Sequence, residues 1–329
     1  MTAFYIFGIT ELQDMYPLIM EFKKTQNCWV CFFDCFPTKK QFHYYSDKEL
    51  LSLFDDLDCN IYRDGDRDKY EYDYSIRSPK YIFIESISPK TYNWFPSTTR
   101  SKVIHIGYYD ESKHLSNSKT HIDLTILKED KYKKYYPNNV ECFGDFRMDN
   151  LQYVPNEFHT KRCFIVESYI RKKDIQSPIL KDEANFYNDL IKKLKDNGYE
   201  IVWKKREKGY PKDSWSSPLD FCSEQPNVII DKDLMLPSSL FYYSKNSDLC
   251  LFVNDCFAFF DTIKINKNTF ILKSPLYKNR KYKFDEGWFD TYKKNIINYE
   301  GLVLNSKKDL ETQSENTISK KIVSFLYGE

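Results

Sequence analysis

Glycine is scarce in this sequence, with nine residues among 329, and no Gly-x-Gly-x-x-Gly cluster occurs. Loops that hold phosphate through backbone amides usually need glycine, because a missing Cβ lets the chain approach the ligand closely. The scarcity argues against a dehydrogenase with a glycine-rich dinucleotide loop. If the protein binds a nucleotide, side chains and amides at helix N-termini must hold it.

An excess of one charge is also missing: 49 Lys and Arg stand against 48 Asp and Glu. A protein that mainly binds a nucleic-acid backbone is expected to carry a strong positive field. We therefore expect no nucleic acid among the partners.

Long apolar runs are absent as well, and none approaches the ~20 residues that span a bilayer. The most apolar stretch, Leu249–Phe260, is interrupted by Asn254 and Asp255. The N-terminus lacks the basic-then-apolar pattern of a secretory signal. Nine cysteines without a disulfide framework are typical of a reducing compartment. We expect a cytoplasmic protein, and peripheral contact with the inner face of a membrane stays open.

Aromatic residues are abundant, at 17% of the chain, which allows a sizeable core. Short apolar runs alternate with helical patterns, as in parallel β-α-β units. The predicted strands are Phe4–Phe7, Cys28–Phe33, Tyr81–Ile84, Val103–Ile106, Cys163–Val166, Tyr199–Trp203, Val228–Ile230, Leu249–Val253 and Thr269–Leu272. Helices are predicted over residues 11–24, 179–197, 286–300 and 318–326, after the Ser46/Glu49 capping box, and from Leu236. The charged segment Asp55–Tyr74 is predicted to be exposed.

The alternation of strands and helices restarts in the second half of the chain. This predicts an α/β protein of two Rossmann-like parallel-sheet domains that face each other across a cleft. We assign residues 1–155 to the N-terminal domain and 156–305 to the C-terminal domain. Residues 306–329 are assigned to a polar linker and a C-terminal helix.

Candidate binding residues follow the predicted strands of the second domain, where ligands bind in open α/β sheets. Lys204–Lys208 carries four cations in five residues, a pattern that suits phosphate but also a solvated strand end. Asn254 and Asp255 stand between a buried strand and a helix, where they can cap the helix and also lie beside an anion at its N-terminus.

A metal site is the other candidate. Cys28 and Cys31 have the Cys-x-x-Cys spacing of zinc ligands, with Cys35 and His43 downstream. Residues three apart on a strand point to opposite faces, and no second Cys-x-x-Cys pair follows. We therefore interpret these cysteines as core residues and expect no metal and no cofactor.

Two segments resemble a known family. Gly144-Asp-Phe-Arg147-Met-Asp149-Asn-Leu151 resembles the Gly-x-Pro-Arg-x-Asp-x-Leu segment of the CDP-glycerol glycerophosphotransferase-like enzymes, which have the GT-B fold. Ser247–Cys256, with the helix and strand that follow it, resembles the second-domain segment of the same family. His105-Ile-Gly107 stands where the family has a His-Gly pair. Phe146 replaces the family's Pro.

This resemblance implies a GT-B glycosyltransferase or glycerophosphotransferase-like enzyme. It would transfer a group from a CMP-, CDP- or UDP-linked donor to a hydroxyl of a glycan or lipid-linked acceptor. The acceptor would lie on the first domain, where a base is required, with His105 as first choice before Glu11 and Asp14. The donor would lie on the second domain. Its predicted binding residues are Lys204, Arg206, Ser238, Ser239, Asn254 and Asp255.

Two alternatives remain open at this stage. One is a nucleotide-sugar epimerase or hydrolase on the same fold. The other is a non-catalytic binding protein that keeps the fold without the chemistry. Product analysis separates the first from a transferase, because neither an epimerase nor a hydrolase needs a glycan acceptor.

Overall fold

The computed structural model describes residues 1–34, 42, 45–85, 94–95, 100–107, 121–136, 139–168, 170–171, 179–205, 215–254, 258–276, 290–302, 304 and 317–328. The chain forms two compact units. Unit 1 comprises Met1–Asn150 and Ser314–Glu329, and unit 2 comprises Leu151–Gln313. No helix within the described ranges is long and apolar enough to cross a membrane.

Unit 1 is built on a parallel sheet of seven strands, in the order β3-β2-β1-β4-β5-β6-β7. The strands are β1 (Thr2–Ile6), β2 (Cys28–Asp34), β3 (Asp58–Arg63), β4 (Tyr81–Ile84), β5 (Lys102–Gly107), β6 (Leu124–Leu127) and β7 (Val140–Cys142). In its N-terminal segment the α-helices are α1 (Ile9–Lys23), α2 (Asp47–Leu51) and α3 (Arg67–Arg77), and 3-10 turns occupy Ser52–Phe54, Asp130–Tyr135 and Phe146–Gln152.

Unit 2 carries a parallel sheet of six strands, in the order β12-β10-β8-β13-β14-β15. These strands are β8 (His159–Val166), β10 (Glu200–Lys204), β12 (Val228–Ile230), β13 (Ser247–Val253), β14 (Thr269–Leu272) and β15 (Ile296–Ile297), while β9 (Ile170–Arg171) and β11 (Trp215–Ser216) pair separately. The helices are α4 (Ile179–Asp196), α5 (Ser239–Asn246) and α6 (Ala258–Ile265), with 3-10 turns at Pro218–Phe221, Asp290–Asn295 and Tyr299–Gly301. The predicted α/β class with two parallel-sheet domains is confirmed.

The segment Asp55–Tyr74, predicted to be exposed, is only partly so: half of its residues are exposed, but Ile61, Tyr62 and Tyr70 belong to the core. It contains β3 and most of α3, and the side chains of Tyr62 and Tyr70 are fully buried. They pack with Trp29, whose ring stacks on Tyr70 with centroids 6.3 Å apart. The charged residues of the segment occupy the outer faces of the same strand and helix, so average polarity conceals a buried aromatic stripe.

Helix α1 contains Pro17, which cannot donate the hydrogen bond that Gln13 O would otherwise accept within the helix. The buried side chain of Asn150 donates to that carbonyl instead, with Nδ2 3.2 Å from Gln13 O. Asn150 belongs to the family-like segment, so this position of the motif has a structural role in unit 1.

Glycine is needed where α4 ends. Gly198 has φ of +78°, in the left-handed region where residues with a Cβ are strained. The helix predicted over residues 286–300 is wrong. The described part of this segment forms a 3-10 turn at Asp290–Asn295 and the short strand β15, not an α-helix.

The C-terminal helix α7 (Ile318–Tyr327) packs on α1 of unit 1. Its first turn is held by Asp149, whose Oδ2 accepts from Ser319 N at 2.6 Å and from Ser319 Oγ at 2.7 Å. At its other end, Tyr327 Oη donates to Gln26 Oε1 at 2.6 Å. Both ends of the helix are therefore tied to unit 1 by specific polar contacts.

We expect Asp149→Ala to loosen α7, because the substitution removes the acceptor at the helix N-terminus. Losing such a cap costs about 1–2 kcal/mol. Hydrogen exchange of the α7 amides should accelerate accordingly, whereas Lys321→Ala, on the exposed side of the same helix, should leave it nearly unchanged. Equal exchange in both variants would show that Asp149 does not hold the helix.

Candidate functional site

Two of the predicted binding residues meet at the carboxyl edge of the unit 2 sheet. Lys204 ends β10, and its Nζ donates to Asp233 Oδ2 at 2.6 Å. The Asp233 carboxylate also accepts from Ser239 N, at 3.1 Å to Oδ1 and 3.2 Å to Oδ2, and from Ser239 Oγ at 2.5 Å. Asp233, which follows a predicted strand but was not among the predicted binding residues, thus joins Lys204 to the first residue of α5.

Of the other predicted binding residues, Ser238 and Asn254 belong to the part of the chain that the structure describes. Ser238 is buried and precedes α5 at the N-cap position, but its hydroxyl does not cap the helix. Arg206 and Asp255 lie outside the described residues.

Asn254 does not cap a helix, so the capping prediction for this residue is wrong. It is fully buried, and its backbone has φ of +60°, which Asn tolerates better than most residues. Its side chain spans to the segment after β14: Nδ2 donates to Ser274 Oγ at 2.8 Å, and Oδ1 accepts from Ser274 N at 3.1 Å. Both ends of the amide are therefore used to tie the ends of two neighbouring strands together.

A buried carboxylate that the sequence did not single out lies directly after β8. Glu167 is 4% exposed, and its Oε2 accepts from Trp203 Nε1 at 3.0 Å and from Ser217 Oγ at 2.6 Å. Ser217 in turn caps the 3-10 turn Pro218–Phe221. Glu167 thereby anchors that turn beside the ends of β8 and β10.

The three predicted proton-transfer residues lie in unit 1 in different settings. His105 is fully buried within β5, with Nε2 3.2 Å from Glu85 O and its ring centroid 5.9 Å from that of Tyr136. Glu11 is 8% exposed, and its Oε2 accepts from Phe7 N at 2.7 Å. Asp14, one helical turn further along α1, has 16% of its side chain exposed. Solvent therefore reaches Asp14 more readily than the other two.

The core around His105 is closely packed, as the space around Gly107 shows. A Cβ at this position would lie 2.7 Å from Tyr136 Oη and 2.8 Å from Leu127 Cδ2. A side chain at residue 107 would therefore displace the ring that stands beside His105.

A network of charges lies next to Asp14. Asp145 accepts from Arg147 through Nε at 2.9 Å and Nη2 at 3.2 Å, and it pairs with Lys128 Nζ at 2.5 Å. Arg147 Nη1 is 4.0 Å from Asp14 Oδ1. Burial alone would raise the pKa of Asp145, but the Arg147 and Lys128 cations outweigh it and hold that pKa well below its usual range. The sequence did draw attention to Arg147, because it lies in the segment that resembles the family motif.

Cys28 and Cys31 lie in the core, where burial raises the pKa of the Cys28 thiol to about 12. Within the described parts of the chain, no three His, Cys, Asp or Glu side chains form a group that could hold a metal ion. Cys35 and His43 fall outside those parts.

Comparison with known proteins finds likeness in structure but not in sequence. No family model matches the chain, which leaves the resemblance to CDP-glycerol glycerophosphotransferase-like enzymes unsupported, and no curated protein matches it either. Among solved structures, UDP-GlcNAc 2-epimerase from Neisseria meningitidis bound to UDP-GlcNAc matches with a TM-score of 0.53 and 15% identity, over 100% of both chains.

Two further solved structures match. One is a putative UDP-N-acetylglucosamine 2-epimerase from Listeria monocytogenes, with a TM-score of 0.52, 10% identity, and coverage of 82% of this chain and 78% of that one. The other is S. aureus MnaA with UDP, with a TM-score of 0.50 and 11% identity, again over 82% of this chain and 78% of that one. The glycosyltransferase prediction is therefore corrected, since matches to UDP-GlcNAc 2-epimerases fit the alternative of an epimerase on the same fold better. At such identities, the likeness establishes that this chain has the GT-B-like fold of those enzymes.

Proposed function

We propose that the protein acts on a nucleotide sugar, as an epimerase or hydrolase of a UDP-linked sugar. The observation that carries this proposal is the match to a UDP-GlcNAc 2-epimerase over the full length of both chains. The charged groups at the carboxyl edges of the two sheets support it, because this is the edge at which open α/β sheets bind ligands. No glycan acceptor enters the proposal.

The proposed roles follow the chemistry of each edge. In unit 2, Lys204 would bind phosphate together with Arg206 and the hydroxyls of Ser238 and Ser239, and Asp255 would contact another part of the nucleotide sugar. The Asn254 amide is already engaged by Ser274. In unit 1, a group must exchange a proton with the sugar, and we propose Asp14 ahead of Glu11 and His105. Asp14 is the most exposed of the three, with 16% of its side chain exposed, and the Arg147 guanidinium 4.0 Å away can orient it. Glu11 already accepts a backbone hydrogen bond, and His105 is enclosed by core residues.

The first test is binding and turnover of UDP-GlcNAc. A ligand at about 100 times its Kd stabilises a protein by about 2.7 kcal/mol, so UDP should raise the melting temperature more than CMP, CDP or GDP do. Proton NMR in D₂O then separates the two activities. An epimerase produces a second UDP-sugar with deuterium at the inverted carbon, and a hydrolase releases UDP and free sugar. A protein that neither binds UDP nor converts a UDP-sugar would contradict the proposal.

A further inference from the structure

The described lysines of the basic run after β10 already have carboxylate partners. Lys204 Nζ is 2.6 Å from Asp233 Oδ2, and Lys205 Nζ is 3.6 Å from Asp220 Oδ1. The two pairs differ in burial. Only 1% of the Asp233 side chain and 16% of the Lys204 side chain are exposed, whereas Asp220 is 47% exposed. The Lys204–Asp233 pair is therefore the one in which the lysine charge is neutralised away from water.

Asp233 receives donors of three kinds: the Lys204 ammonium, the Ser239 hydroxyl and the Ser239 amide. Phosphate oxygens use the same kinds of donors. A carboxylate that holds these donors and a phosphate that approaches them are consequently competitors. Lys204 stands at the end of its strand on a four-carbon stem, so its ammonium can exchange partners by side-chain rotation alone.

We propose that Asp233 is an internal competitor of the substrate's diphosphate, and that Lys204 binds the diphosphate only by releasing Asp233. This inference rests on the proposed function, because it names the regulation of the same binding edge. A buried lysine without a partner is strongly destabilising, so the carboxylate keeps the empty site folded. The same contact lowers the affinity for nucleotide, since the ligand must break an existing ion pair before it forms its own.

The decisive comparison is UDP binding by Asp233→Asn and by Asp231→Asn, measured by calorimetry. Both substitutions remove one negative charge from the same segment, but Asp231 is exposed whereas Asp233 is buried against Lys204. We expect Asp233→Asn to lower the Kd for UDP about tenfold, equivalent to about 1.4 kcal/mol. Asp231→Asn should leave the Kd within about twofold, because salt screens an exposed charge.

A second readout needs no nucleotide. An ammonium held in an ion pair reacts slowly with acylating reagents, so Lys204 should be labelled faster in Asp233→Asn than in the wild type, as measured by mass spectrometry. Lys205, whose partner Asp220 is unchanged, is the internal reference. If Asp233→Asn does not fold, Asp233→Ser serves instead. It also removes the negative charge beside Lys204 and should lower the Kd for UDP in the same direction.

The outcomes separate the inference from the proposed function. Wild-type binding of UDP with no tightening in Asp233→Asn, or in Asp233→Ser where that variant replaces it, overturns the inference and leaves the proposed function standing. Failure of every variant to bind UDP overturns both. Faster labelling of Lys204 together with tighter binding of UDP supports the exchange of partners.

Discussion

Asp14→Asn is expected to lower kcat on a UDP-sugar by about 10²- to 10⁴-fold, the usual contribution of a proton-transfer group. The amide keeps the shape of the carboxylate but cannot take up a proton. Binding of UDP should be almost unchanged, since the proposed phosphate-binding residues belong to unit 2. The measurement is a pair of quantities, kcat from product formation and the Kd for UDP, on the same preparation.

Asp56→Asn is the matched control for Asp14→Asn, because Asp56 is an exposed carboxylate of the same unit. It should retain full activity. Glu11→Gln and His105→Gln complete the comparison. If either of these loses turnover at unchanged stability while Asp14→Asn remains active, the proton-transfer role belongs to that residue and not to Asp14.

Asp145→Asn is expected to lower the free energy of unfolding by about 3 kcal/mol, because it leaves two largely buried cations without their shared carboxylate. Those cations are Arg147 and Lys128, with 12% and 17% of their side chains exposed. Urea unfolding followed by fluorescence measures the change. Asp130→Asn provides the control, because Asp130 is 75% exposed and solvent screens its ion pair with Lys133, so the stability should stay nearly unchanged.

The effect of Asp145 should depend on pH in a defined direction. Its pKa in the folded protein is depressed below the unfolded value of about 3.9. The stabilisation is therefore fully present above that unfolded value and is lost as the pH falls towards the folded pKa. The difference in stability between wild type and Asp145→Asn should shrink as the solution is acidified below about pH 4. A difference that grows on acidification would exclude this origin.

Much of the fold is legible in the sequence because its parallel strands are buried on both faces and read as short apolar runs. Tyr81–Ile84 and Thr269–Leu272 are strands with the predicted bounds. Ser46 and Glu49 form the predicted capping box. β3 and α3 were missed because their charged residues dominate the local composition, and only the packing of Tyr62 and Tyr70 reveals the buried side.

The site is harder to read, because its geometry depends on contacts between distant residues. Lys204 stands 29 positions from Asp233, and Asn254 stands 20 from Ser274. No spacing rule indicates either partner. The glycosyltransferase prediction was wrong for a related reason, because one fold supports several chemistries. The segments that resemble a transferase family also have structural roles in this fold. Asp149 and Asn150 of that segment hold α7 and α1.

The return of α7 to unit 1 decides how the chain carries mechanical load. Thr2 Oγ1 and Tyr327 Oη lie 3.3 Å apart, so the two ends of the described chain meet on one unit. A force that pulls these ends apart acts first on the contacts of α7 with β1 and α1. Unit 2 lies between residues 150 and 314 along the chain and bears no tension until those contacts break. When the two ends are pulled apart, the contacts of α7 with unit 1 should therefore break before unit 2 is stretched.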